Sequence, residues 1–87
     1  MKAVISVIGQ DTTGIIAKVS TICAERGANI IDITQSVLKE YFAMVMVVEL
    51  CDAGFSSLSE DFVKFEAASG MKVHVMHEDI FNSMHKV

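Results

Sequence analysis

Two stretches of this chain carry a helical apolar face, each stops at a glycine, and each lies between runs with strand character. Ile15, Ile16, Val19, Ile22 and Cys23 recur at the 3.6-residue period ahead of Gly27. Leu58, Phe62 and Phe65, with Ala68 below them, do the same ahead of Gly70. Glycine takes the left-handed conformation that closes a helix at little steric cost, so both stops are sharp. The spacing predicts a first helix over Asp11 to Arg26, with Asp11 or Thr12 able to accept from the free amides of its first turn. Ser57 with Glu60 is a capping box for the second helix. Ala3–Ile8, Asn29–Leu38, Tyr41–Leu50 and Met71–His77 read as strands. Lys39 and Glu40 form a short turn without the usual Asn-Gly signal, and Cys51–Ser56 is a loop.

That order, strand-helix-strand twice over, is the ferredoxin-like βαββαβ arrangement. The expected architecture is α+β: a four-stranded antiparallel sheet with two helices on one face, plus a short C-terminal helix. No proline or linker divides the chain, so residues 1–87 are expected to form one domain. With helices on one face, the other face should be polar. The third strand breaks that rule. Phe42, Met44, Met46, Val48 and Leu50 point one way, and Tyr41, Ala43, Val45 and Val47 the other. The terminal stripe of Ile80, Phe81, Met84 and Val87 can cover part of that second face, and a second copy of the chain can cover more. A composition of 52% hydrophobic and 21% charged residues also favours a homodimer, with pairing into a higher oligomer open.

Charge and residue placement exclude several functions. Net charge is −4 and the seven basic residues form no stripe, so a nucleic-acid backbone finds little to grip. Tyr41 and Phe42 are adjacent and point oppositely, unlike a base-stacking platform. No apolar run is long enough for a membrane span, and the start does not read as a signal peptide. Cys23 and Cys51 lie in apolar patterns and read as buried, reduced thiols of a cytoplasmic chain. His74 and His77, three apart in a strand, face opposite ways, and His85 lies in the tail, so no metal or other cofactor is expected. No nucleophile with a positioned base is visible, and the first loop lacks the arginine that an acylphosphatase of this topology needs. The chain is read as not an enzyme.

What remains is the first turn. In GQDTTGIIAKV, Gly9 permits a sharp exit from the strand and Gly14 clears a side chain from beside the helix-start amides, which attract anions. Two readings stay open: a carboxylate-bearing ligand uses those amides, or Asp11 fills them and Gly14 only allows close packing. Asn29 offers both a donor and an acceptor to a zwitterion, or simply satisfies a turn.

The run VIGQDTTGIIAKVSTICAERGANIIDITQS resembles the opening of an ACT domain: a G-x-D-x-x-G turn (Gly9, Asp11, Gly14), an amphipathic helix, then Asn29–Ile30 leading the second strand. The Ile-Phe and Met-His near the terminus resemble small stand-alone ACT proteins once filed as uncharacterised and related to glycine cleavage regulators. The resemblance implies regulatory binding of an amino acid or similar effector at an inter-subunit site. It implicates Gln10, Asp11, Thr12, Thr13, Gly14, Asn29 and Ile30. Thr13 stands where many members have proline. The rival expectation is a ligand-free dimeric adaptor that acts on a protein partner.

Overall fold

The computed structural model describes residues 1–10 and 13–84. The chain runs β1 (Lys2–Gln10), α1 (Ile15–Glu25), β2 (Asn29–Leu38), β3 (Tyr41–Glu49), a 3-10 turn (Asp52–Gly54), α2 (Phe55–Ser69), β4 (Lys72–His77) and α3 (Glu78–Met84). The strands form one antiparallel sheet in the order β2-β3-β1-β4, the expected ferredoxin-like arrangement. Among the described residues, no helix is long and apolar enough to cross a membrane.

The core lies between the sheet and the pair α1 and α2. Ala3, Ile5 and Val7 of β1 and Phe42, Met44, Met46 and Val48 of β3 alternate inward, meeting Val19 and Cys23 of α1 and Leu58, Phe62 and Phe65 of α2. Phe62 and Phe65 pack edge to face, with centroids 6.3 Å apart. Burying each large side chain here contributes roughly 1.5–3 kcal/mol. Across the helix surface, the Arg26 guanidinium at the end of α1 grips both carboxylate oxygens of Asp61 on α2.

The element boundaries differ from expectation for local reasons. β1 continues to Gln10, so Gly9 sits inside the strand and not at its exit. Its need for glycine is crowding: a Cβ at Gly9 would stand 2.5 Å from the Met71 sulfur and 3.3 Å from the Met71 Cα. α1 starts only at Ile15, after Gly14. α2 starts at Phe55 behind Gly54, so Ser57 falls inside its first turn and the expected capping box does not form. Cys23 is buried, and burial raises its thiol pKa to about 11. Cys51 is exposed, because it follows the end of β3 in the connection to α2.

One irregularity reassigns a whole strand. Ile30 pairs with Val48 and Asp32 with Val47, leaving Ile31 as an extra residue in a β-bulge. The bulge shifts the phase. Ile30, Ile33, Gln35 and Val37 lie opposite inward residues of β3, whereas Asp32, Thr34 and Ser36 lie opposite outward ones. Asp32 and Thr34 therefore do not share a face with Ile30, as unbroken alternation would require.

Candidate functional site

The first turn is open. Gln10 ends β1 opposite Tyr41 on the outer face, and Gln10, Thr13 and Gly14 are all exposed. Gly14 is the N-cap of α1 at φ 86°, and its carbonyl accepts the first helical bond from Lys18 N at 3.0 Å. This left-handed φ explains the glycine, since other residues reach it only with strain. Close packing against the described residues does not explain it, because among them a Cβ there would meet nothing within 4 Å. Among the described residues, no side chain caps α1, and its first turn carries no acidic residue. Among the described residues, then, no side chain occupies the amides of this helix start, and such amides attract a carboxylate. Asp11 and Thr12, the expected caps and site residues, lie outside the described residues.

Asn29 and Ile30 stand elsewhere. Asn29 pairs with Glu49, which pairs in turn with Lys2, at the end of the sheet where β1 begins. Gln10 pairs with Tyr41 at the end where β1 finishes. Tyr41 and Glu49 are eight positions apart on β3, which at ~3.4 Å per residue is roughly 27 Å. Within one chain, the first turn and Asn29 cannot touch the same small molecule. They also differ in exposure: Asn29 is exposed on the outer face, whereas Ile30 is half-buried and packs on the core.

Asn29 does lie on an edge strand. β2 is bonded only to β3, and from Ile31 to Val37 every residue is exposed. Its apolar members Ile31, Ile33 and Val37 reach 57% exposure at Val37. Ile16 of α1, expected on the buried stripe, is exposed as well. One edge amide is already taken: Asp32 Oδ1 accepts from Ile33 N at 2.8 Å.

A further concavity lies in a different place. A groove of about 490 Å³ runs between α1 and α2, lined by Ala17, Lys18, Thr21, Ile22, Asp61, Lys64, Phe65 and Ala68. None of the described residues expected from the sequence lines it. The small side chains of Ala17 and Ala68 leave space between the helices, and that is the only sequence signal for it. Its polar groups are exposed or spoken for, since Asp61 is held by Arg26 and Thr21 Oγ1 donates to Ala17 O at 2.8 Å. An open apolar groove without fixed donors gives little basis for orienting a small polar ligand. His74 lies opposite Ser6 on the outer face and His77 opposite Ala3 on the inner, so the two point apart as expected.

Comparison with known proteins agrees with this fold. Residues 2–76 match the ACT domain family profile. A UPF0237 protein of Methanocaldococcus jannaschii is 44% identical over 88 residues, covering 99% of this chain and 98% of the relative. An ACT domain protein from Streptococcus pneumoniae superposes with a TM-score of 0.77 at 44% identity, covering 93% of each chain. The regulatory subunit of aspartate kinase from Thermus thermophilus, in its ligand-free form, gives a TM-score of 0.71 at 28% identity, over 88% of this chain and 51% of that one. With its fold, the matching profile and its relatives in agreement, the chain belongs to the ACT domain family.

Proposed function

We propose that the chain is a non-catalytic regulatory module of the cytoplasm, which binds an amino acid or similarly small zwitterion between two copies of itself. The observation that carries this reading is the placement of the two half-sites at opposite ends of an exposed edge strand. Set two copies side by side with their β2 strands antiparallel, and Asn29 of one arrives at the end of the sheet where Gln10 to Gly14 of the other lie. The operation is a simple two-fold, so two equivalent sites form per dimer. At each, the free amides behind Gly14 meet the effector's carboxylate, and Asn29 supplies a donor and an acceptor from the second copy. Exposed Ile31, Ile33 and Val37 supply apolar area along the joint.

The family supports the regulatory part of the reading, as does the likeness to the regulatory subunit of aspartate kinase. Without a catalytic domain in these residues, an effector acts by stabilising the dimer, and a partner senses the change. The test is thermal unfolding at fixed protein concentration against each common amino acid, because a ligand of the native state alone raises the melting temperature by mass action. A selective rise for one amino acid is expected. Asn29→Ala should abolish the rise while leaving the unliganded melting temperature nearly unchanged, since Asn29 is exposed. Gly14→Asn should abolish it too, because asparagine tolerates the left-handed φ and places its own side chain over the amides. A flat panel at millimolar concentration would overturn the effector reading and favour a ligand-free adaptor.

A further inference from the structure

The outer face of the sheet, away from α1 and α2, is covered over only part of its area. Val4 and Ile8 lie on this face of the same strand, yet Val4 is 2% exposed and Ile8 is 50% exposed. The cover is α3. It turns back directly after β4, its start held by His77 Nδ1 accepting from Asp79 N at 3.1 Å, and it packs on β1 and β4. Beyond its reach an apolar strip remains on β1 and β3, flanked by Thr34 and Ser36 of β2 and by Lys72 and His74 of β4. Ile8 lies opposite Ala43, Ser6 opposite Val45 and Gln10 opposite Tyr41, so Ile8, Ala43, Val45 and Tyr41 form one contiguous exposed patch. α3 itself is not closed either. Ile80, expected to pack on the sheet, is instead 56% exposed, while Phe81 is half-buried.

We infer that this face is a second self-association surface, distinct from the β2 edge, and that its occupant is another copy of the same chain. The two bare features are complementary. A two-fold axis lying between the two sheets and perpendicular to the strands lays the Val4 end of one copy, with α3 and its outward Ile80, over the opposite end of the other, where Ile8, Ala43, Val45 and Tyr41 are uncovered. The same rotation does the reverse for the second copy, so a single operation covers both bare patches and both α3 helices. The area suffices. The molecule measures 34 × 34 × 20 Å, and its broad side, α3 included, is comparable with the ~800 Å² per partner in a standard interface. Scattered exposed apolar residues need no partner, but a contiguous patch beside an apolar helix stripe does. With the edge joint proposed above, the two surfaces together build a closed tetramer.

Sedimentation equilibrium on three chains tests this and separates it from the edge joint: the wild type, the face variant Ile8→Lys with Val45→Lys, and the edge variant Ile33→Lys with Val37→Lys. The altered residues are exposed, so each chain should fold. The milder face variant Ile8→Thr with Val45→Thr stands in should the lysines unfold it, as melting curves would reveal. A wild-type tetramer, with each variant reduced to a dimer, is the expected result. A wild-type dimer that the face variant reduces to a monomer also supports the face while overturning the edge joint. A face variant with the mass of the wild type overturns the inference. So does a monomeric wild type, whose bare face would then belong to a different protein.

Discussion

The sheet has two edges, and the chain treats them differently. β4 is six residues long, its residues are mostly half-buried, and the Val73 amide is taken by Glu66 Oε2 of α2 at 2.8 Å. The chain then folds straight into α3. β2 is ten residues long, exposed through its middle, and bears Ile31, Ile33 and Val37 outside the cover of the helices. Its own Asp32 blocks one amide, and nothing else described caps the strand. Native sheets close the edges that must stay single, by short strands, covering elements or captured amides. β4 carries all three devices and β2 carries one. The long, apolar β2 edge is where the proposed joint between copies would form.

This contrast can be broken at either edge. The largest effect on the folded monomer should come from Glu66→Ala, which strips the acceptor from a part-buried amide of β4. A loss of about 1–2 kcal/mol is expected, read from urea unfolding at a concentration where the chain is monomeric. At β2 the prediction reverses. Ile33→Lys with Val37→Lys should change monomer stability by no more than about 0.5 kcal/mol, yet weaken self-association along that edge at least tenfold by concentration-dependent sedimentation. Equal monomer costs at the two edges would remove the distinction.

A smaller effect concerns the helix layer, whose response to acid separates it from both edges. The hydrogen bond from Arg26, and then its charge, hold the Asp61 carboxyl below its ordinary range. A depressed carboxylate contributes stability above its unfolded pKa, and that contribution fades as pH falls through the lowered native value. Arg26 is exposed and Asp61 only half-buried, so solvent screens the pair and the change should be slight. Melting temperatures from neutral pH downward should show a small acid-side loss that Arg26→Ala removes.

Periodicity carried most of this fold into view. The inward residues of β3 are those the alternation names, because register in a sheet with one buried face is fixed by the side-chain period of two. The hairpin turn at Lys39 and Glu40 is also where the sequence puts it, though Lys39 takes a left-handed φ of 58° that no local signal announces. β2 was legible in extent but not in phase. A bulge costs one residue, and the adjacent isoleucines at 30 and 31 fit either face, so only pairing with β3 reveals it. Gly9 and Gly14 were both identified as special, and for both the physical reason differs: crowding by Met71 at the first, a left-handed helix start at the second. The site was legible only as parts. That Asn29 and the first turn lie at opposite ends of the sheet depends on strand order and register, which no local pattern encodes.

The composite site rests on that separation, and mixing two inactive variants tests it directly. In the proposed dimer each site takes Gly14 from one copy and Asn29 from the other. A heterodimer of Gly14→Asn and Asn29→Ala chains therefore holds one intact site and one site damaged twice. Calorimetric titration with the amino acid identified by the melting panel should find no binding to either variant alone. Unfolding and refolding an equal mixture should restore about a quarter of the wild-type sites, because half the dimers are mixed and each holds one good site. A mixture as inactive as its components would place Gly14 and Asn29 in the same copy's site, or in none, and would contradict the account.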